Sequence, residues 1–239
     1  MAEEKSQRWL VTGASRGIGK AIAEAALARG CRVAMLARTE SACDEHGPRA
    51  LSLRGDVTNH QSMGDVAAQV GKAWGGIDVL VNNAGLHRGG LVDRINLEDF
   101  DAVLRTNLSG PLNTVRALLP HFGEGGGAIV NIGAVVGFRG FAGDVAYGSS
   151  KMGLAGMTQV LAVELARRAI RVNLVIPGFV STEMTAEISA KAREQMDQKI
   201  PLGRQGTPEE IAEVVWWVAQ STYMTGSTVA TDGGLMCGL

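Results

Sequence analysis

Tyr147 and Lys151 stand four residues apart in the stretch Ala146 to Met152. On a helix that spacing puts both side chains on one face, with the ammonium close to the phenol. A free phenol titrates near pH ~10, too high for easy proton exchange at neutrality, and a nearby cation favours the phenolate and lowers that value. The pair therefore reads as a general acid and base built on Tyr147, with the pKa lowered by Lys151. Its alternative is an ordinary solvated Tyr–Lys pair, and the elements that position it have to decide.

Those elements alternate strand and helix from the start. Trp9 to Thr12 is a short apolar run ending in Gly13-Ala14-Ser15-Arg16-Gly17-Ile18-Gly19, followed by a helical pattern in Ile22, Ala25, Ala26 and Leu27. Strand, glycine turn and helix offer backbone N–H groups and a helix N-terminus to a pyrophosphate, or simply make a tight βα turn. A second strand, Arg32 to Ala37, ends in Arg38. An acidic residue there would accept from a ribose 2′-OH, whereas an arginine suits a 2′-phosphate; Arg38, with Arg16 as a second cation, points to NADP(H). Residues 39–49 are short and polar with Gly47-Pro48, so an abbreviated connection is expected.

The third strand, Ala50 to Arg54, leads to Asp56-Val57, where Asp56 either meets an adenine edge or caps the next turn. A helix from about His60 to Trp74 and a fourth strand, Ile77 to Val81, run into Asn82-Asn83-Ala84-Gly85, small and amide residues suited to a close pass by a ligand. A long helical stretch covers Leu97 to about Phe122, a fifth strand Ala128 to Ile132, a helix Asp144 to about Arg168, and a sixth strand Arg171 to Val175. Thr207-Pro208-Glu209-Glu210 is a capping box that opens a helix through Ala219, and a last strand spans about Ser227 to Thr231. The pattern predicts an α/β fold: a doubly wound parallel sheet of Rossmann type, about seven strands with helices on both faces.

Thr12-Gly13-x3-Gly17-x-Gly19, Asn82-Asn83-Ala84-Gly85 and Tyr147-x3-Lys151, in this order and spacing, resemble the classical short-chain dehydrogenases/reductases over essentially the whole chain. The resemblance implies one NADP-binding domain over residues 1–239, with a substrate lid at about 183–200 and a homotetramer as the assembled form. It implies Tyr147 as proton donor to a ketone, Lys151 on the ribose, and Asn107 holding a water in the proton relay, its alternative being a mid-helix Asn that bends the helix. The cofactor would lie along Gly13, Ser15, Arg16, Gly17, Ile18 and Gly19, then Arg38, Asp56 and Val57, Asn83, Ala84 and Gly85, and Pro177, Gly178, Val180 and Thr182, with Ile176 beside them.

The family places a serine thirteen residues before the tyrosine, and here that residue is Ala134. Losing one hydrogen-bond donor to the substrate carbonyl costs on the order of 10²–10³ in turnover, by analogy with oxyanion-hole donors. Ser149 and Ser150 sit two and three positions past Tyr147 and are expected to point elsewhere. Ala134 is thus either a deliberate change or a natural variant that is slow or uses another donor.

Segments around Asn107 and residue 134, Pro177-Gly178-Phe179-Val180 and Ile200-Pro201-Leu202-Gly203-Arg204 look most like 3-oxoacyl-[acyl-carrier-protein] reductases. Reduction of a 3-oxoacyl thioester or related ketone follows as the expected activity. Phe122 to Gly127 offers Glu124 and glycines rather than basic residues for an acidic carrier protein, which keeps a coenzyme A thioester or a small ketone as alternatives. A cofactor-binding subunit of low activity within a hetero-oligomer is the reading of a different class.

Composition agrees with this class. The 239 residues are 46% hydrophobic, with 23 basic and 24 acidic residues for a net charge of −1, which favours neither nucleic acid nor an anionic membrane as partner. Cys31, Cys43 and Cys237 are odd in number and lack a CxxC pair, arguing against a disulfide framework or zinc and for a reducing cytoplasm. His46, His60, His87 and His121 share no metal or triad spacing, and His87 with Arg88 could line the substrate entrance. No apolar run approaches the ~20 residues of a membrane span, and Met1 to Gln7 lacks an apolar leader core. Trp216-Trp217 reads as packing or a subunit contact, and the apolar C-terminal tail as burial at a subunit interface.

Overall fold

The computed structural model describes residues 6–39, 44–183 and 190–237. Seven strands form one parallel sheet: β1 (Arg8–Thr12), β2 (Arg32–Ala37), β3 (Ala50–Arg54), β4 (Val79–Asn82), β5 (Gly127–Ile132), β6 (Ile170–Pro177) and β7 (Thr228–Thr231). Their order across the sheet is β3-β2-β1-β4-β5-β6-β7. The direction of winding reverses between β1 and β4, which opens a crevice at the carboxyl ends of those strands.

Around the sheet lie α1 (Gly17–Ala28), α2 (His60–Trp74), α3 (Leu97–Leu104), α4 (Gly110–Leu118), α5 (Val145–Leu165), α6 (Ala190–Asp197) and α7 (Pro208–Gln220). The central strands are mostly apolar because both faces are covered. Alternate residues go to opposite layers: Trp9, Val11, Val33 and Met35 pack with Ile22, Leu27, Ile211 and Val215 of α1 and α7. Leu10, Ala34, Leu36 and Leu80 pack on the other side with Met63, Val66, Val115, Leu118 and Leu161.

Several expectations are refined. The stretch from Leu97 to Phe122 is not one helix: a π-helical turn, Arg105–Ser109, separates α3 from α4, and a 3-10 turn closes it at Leu119–His121. Such a turn inserts one extra residue and swings a side chain off the regular helix face. β4 begins at Val79, Ile77 making only an isolated bridge to Phe122. The connection after β2 is abbreviated, with 3-10 geometry at Asp44–Arg49, while residues 40–43, Cys43 included, lie outside the described residues. Of the lid expected at about 183–200, residues 190–197 form α6 and residues 184–189 lie outside the described set.

The capping box at Thr207 is present in both directions. Trp216 stacks on Trp9 at 5.4 Å between ring centroids, with Arg29 over its face, so it packs within the chain. Leu235 is likewise buried within the chain, against Val135, Leu154 and Leu174, rather than left for a subunit interface.

One polar chain crosses the dry interior. Thr114 Oγ1 donates to Asn82 Oδ1 (2.7 Å), Asn82 Nδ2 to Asn131 Oδ1 (2.9 Å), Asn131 Nδ2 to Thr158 Oγ1 (2.9 Å), and Thr158 Oγ1 to Leu154 O (2.8 Å). Asn82 and Asn131 are register partners on β4 and β5, and the chain ties α4 and α5 to the sheet. All four side chains are buried, so each depends on its neighbour for the hydrogen bonds that water would supply. Asn131→Ala orphans partners on both sides and is expected to cost about 2–4 kcal/mol in urea unfolding. A loss below ~0.5 kcal/mol would mean that the chain does not hold the two helices.

Candidate active site

The carboxyl ends of β1, β4, β5 and β6 converge with the N-terminal turns of α1 and α5. At the first of these, Thr12 is buried and its Oγ1 accepts from the backbone N–H of Asn83 (3.0 Å) and Ala84 (2.9 Å), coupling the glycine turn to the segment after β4. Asn83 Nδ2 donates to Thr12 O (2.9 Å) and Gly13 O (3.2 Å), so its amide braces the turn. Gly13 has φ +67, and a side chain at Gly19 would come within 2.3 Å of both Gly13 O and Asn83 Nδ2. Only glycine fits these two positions.

Arg16 is the N-cap of α1 in an extended conformation without a side-chain cap, and the first turn of α1 has no acidic residue. The N–H groups and positive dipole end of α1 are therefore suited to an anion. The Arg16 side chain pairs with Glu183 Oε2 at 2.9 Å, both groups about two-thirds exposed. Ser15 and Arg38 are exposed, Arg38 just past the end of β2.

Asp56 takes the turn role that was one of its two readings: its Oδ1 accepts from Thr58 N (2.9 Å) and Thr58 Oγ1 (2.8 Å). Val57 is buried against Gly110, and its carbonyl accepts from Asn113. On the far side of the crevice, Pro177 ends β6 and Gly178 N donates to Thr231 O (3.0 Å). Ile176 and Val180 are buried, and Thr182 lies opposite Gly17. The turn after β1 and the segments after β4 and β6 thus lie together at the carboxyl edge of the sheet, Asn83 and Ala84 bonding to Thr12 and Gly13 and Thr182 lying against Gly17.

The first turns of α5 carry Tyr147, Ser150 and Lys151. Lys151 is buried, and its ammonium donates to Ile132 O at 2.8 Å while sitting 5.5 Å from the Tyr147 ring centroid. The pair is on one face, as the spacing requires, but the expected fall in the phenol pKa is not found. Burial, and then the negative Asp144, push Tyr147 up to about 12, and burial lowers Lys151 to about 8. Loss of water disfavours the charged form of both groups more than their proximity favours it.

Asn107 lies on the π-helical turn and is fully buried. Its Oδ1 accepts from Leu86 N (2.7 Å), and its Nδ2 donates to Leu86 O (2.9 Å) and Ser150 Oγ (3.0 Å). Ser150 Oγ in turn donates to Tyr147 O (2.7 Å). Asn107 therefore sits at a distortion of the helix, as one of its two readings expected, and locks the loop after β4 onto α5. A methyl group built on Gly85 would lie 3.6 Å from Asn107 Oδ1 and 3.8 Å from Lys151 Nζ, so the glycine keeps the space between them open.

Ala134 is extended and partly exposed where the chain leaves β5. Ser150 is committed to Asn107 and Ser149 is exposed, in keeping with the expectation that neither replaces the missing hydroxyl.

Sequence reasoning gave Asp144 no role beyond starting a helix, and left His87 at an entrance. His87 Nε2 and Asp144 Oδ1 are 2.7 Å apart, and the imidazole meets the Tyr147 ring edge-on, with centroids 5.1 Å apart and planes at 80°. The hydrogen bond to Asp144 raises the His87 pKa against the opposing effect of burial. The signal available was that Asp144 and Tyr147 are three apart on one helix, and so share a face.

Among the described residues no helix is long and apolar enough to cross a membrane, and no three His, Cys, Asp or Glu side chains gather as a metal ion requires.

A family model described as enoyl-(acyl carrier protein) reductase matches residues 13–236. The chain is 41% identical to the 3-oxoacyl-[acyl-carrier-protein] reductase FabG of Thermotoga maritima, covering 95% of this chain and 96% of that one. It is 42% identical to carbonyl reductase family member 4 of Danio rerio, again over 95% and 96%. A crystal structure of a short-chain type dehydrogenase/reductase from Mycobacterium marinum superposes with a TM-score of 0.91 at 36% identity, covering 97% of this chain and 96% of that one. A crevice at the reversal of strand order, a glycine turn opening α1 and a Tyr–Lys pair on α5 thus occur in a chain that belongs to the short-chain dehydrogenase/reductase family of oxidoreductases.

Proposed function

We propose that this chain is an NADPH-dependent ketoreductase that converts a 3-oxoacyl thioester, or a related ketone, to the secondary alcohol. The observation that carries the reading is that the segment after β4 braces the glycine turn of α1 through Asn83 and Ala84 and leaves room at Gly85 beside Lys151, the partner of Tyr147. The glycine turn and the free N–H groups of α1 fit a pyrophosphate, Arg38 and Arg16 a 2′-phosphate, and residues 83–85, 177–178, 180 and 182 the remainder of the dinucleotide. When bound, NADPH supplies the hydride.

In this reading Tyr147 keeps its proton in the resting site, since its phenol is pushed up to about 12, and gives it to the oxygen as alkoxide character develops. Lys151, oriented by Ile132 O, stabilises the phenolate left behind, and Asn107 fixes the loop beside it and serves the proton relay. Ala134 withdraws one donor from the β5 side of the carbonyl. Unless another group supplies it, turnover falls by a factor on the order of 10²–10³.

The same change at 134 favours a second reading, a weakly active cofactor-binding subunit of a hetero-oligomer. The acyl group is carried on an acyl-carrier protein or coenzyme A, and a reducing cytoplasm suits the free Cys31 and Cys237.

We further propose a homotetramer. Val145, Met152, Val160 and Val163 are exposed at spacings that form one stripe along α5, and Leu112 of α4 is also exposed. An apolar stripe of this kind on a surface helix is suited to burial against a second copy.

Three measurements test this. NADPH oxidation with acetoacetyl and longer 3-oxoacyl thioesters should exceed NADH oxidation, and Tyr147→Phe should lower turnover at least about 10²-fold while NADPH still binds. NADPH binding without turnover of any ketone moves the subunit reading ahead.

The chain has two tyrosines, so Tyr223→Phe leaves Tyr147 as the sole phenol. At pH 10.5, where a free phenol is more than half ionised, the ligand-free Tyr223→Phe chain should show less than about a tenth of the phenolate absorbance expected from one tyrosine. Adding Asp144→Asn should increase that absorbance, because a negative neighbour has been removed. Ionisation at or below pH ~10 in the Tyr223→Phe chain would contradict the dominance of burial.

Val163→Asp should shift sedimentation from tetramer to smaller species without loss of helical signal; an unchanged tetramer rejects α5 as the contact.

A further inference from the structure

His87 and Asp144 lie against Tyr147, and the reading above gives them no task. Asp144 is the N-cap residue of α5, three residues before Tyr147, and uses no side-chain hydrogen bond to cap the helix. Its carboxylate goes instead to His87 Nε2 at 2.7 Å, with 41% of the imidazole and 22% of the carboxylate side chain exposed. A carboxylate on Nε2 keeps that nitrogen protonated and fixes the ring's orientation. Nδ1 has no hydrogen-bond partner among the described residues.

The ring is therefore positioned on one nitrogen and open on the other, and it stands edge-to-face with the phenol. A nucleophilic triad is not what this pair serves. Ser150 is bound to Asn107 and the Tyr147 carbonyl, and Ser149 is exposed away from it.

The site has one need that such a group meets. A ketone oxygen in front of Tyr147 receives the phenol's hydrogen bond but nothing from the methyl of Ala134. We propose that His87, held by Asp144, supplies the second hydrogen bond to the substrate's carbonyl oxygen, the bond that Ala134 cannot make. The inference rests on the ketoreductase reading of the same site.

No bond to His87 forms. Nδ1 donates only when the ring is protonated on both nitrogens, the form that the hydrogen bond to Asp144 favours. The phenolic proton then moves to the alkoxide oxygen, His87 ends with both of its own protons, and its hydrogen bond strengthens as negative charge builds on the oxygen. A charge-assisted donor is stronger than a neutral hydroxyl. Asp144 acts through His87 and is a positioning residue. The alanine at 134 then marks a donor relocated from the β5 side to the loop after β4, rather than a donor lost.

The test compares the parent, His87→Ala, His87→Gln, Ala134→Ser and the His87→Ala/Ala134→Ser double variant. Two readouts are taken: kcat with NADPH and acetoacetyl-N-acetylcysteamine, and calorimetric affinity of the NADP+-saturated chain for that thioester. His87→Ala should lower kcat about 10²-fold and weaken thioester affinity, with NADPH affinity unchanged. His87→Gln, which keeps an N–H donor, should fall between the two. Ala134→Ser should gain little in the parent but restore at least about tenfold in the His87→Ala background, since either donor can serve the same oxygen.

A parent that turns over while His87→Ala matches it in kcat and affinity overturns this inference and leaves the ketoreductase reading standing. So does an equal loss from His87→Ala in both backgrounds at 134, the mark of a packing role. A parent that binds the thioester in a His87-dependent way without reducing it rejects the ketoreductase reading and keeps the contact. A parent that neither reduces nor binds the thioester rejects both.

Discussion

The fold depends on four side chains hydrogen-bonded in series where no water reaches: Thr114, Asn82, Asn131 and Thr158. Burying two amides inside a parallel sheet is costly unless every polar atom finds a partner, and satisfaction of one here requires the next. The sheet register sets Asn82 beside Asn131, and the two threonines then fix α4 and α5 in rotation and height. Since α5 carries Tyr147 and Lys151, and the π-helical turn carrying Asn107 leads directly into α4, the chain of amides sets the geometry of the site from beneath it.

On that foundation Lys151 is buried and Tyr147 partly exposed. Lys151 and Tyr147 face one another as their spacing demands, yet burial moves the amine down to about 8 and the phenol up to about 12. The proton therefore rests on the phenol in the ligand-free chain, the state a proton donor needs at the start of a reduction. The single carbonyl of Ile132 orients the ammonium, and Asn107 and Ser150 hold the neighbouring loop and helix turn together without taking up the phenol itself.

The crevice shows the same division between bracing and binding. Thr12 and Asn83 bond to backbone groups, so the glycine turn is braced by the chain itself. The N-terminal N–H groups of α1 carry no side-chain cap, while the two arginines read as phosphate ligands differ in state. Arg38 is exposed past β2, whereas Arg16 already pairs with Glu183 at the start of the segment expected to form the lid. An exposed pair of this kind contributes little to stability, so a phosphate can take Arg16 from it at small cost.

The sequence alone determined the class of fold. Apolar strands, a glycine turn and helix punctuation are local signals, and a parallel sheet needs little else to be recognised. It also placed Tyr147 and Lys151 on one helix face by their spacing, while Asn107 and the alanine at 134 were singled out by the family resemblance.

Tertiary structure decided what depends on groups far apart in the chain. The π-helical turn at Asn107 is invisible to a 3.6-residue periodicity, and its Asn107 side chain bonds to Leu86 and Ser150, residues distant in sequence. The meeting of His87 with Asp144, 57 residues apart, and the upward shift of the Tyr147 pKa likewise arise from packing. Spacing fixes which side chains can meet, but the water excluded around them sets their charge, and that exclusion exists only in the folded chain.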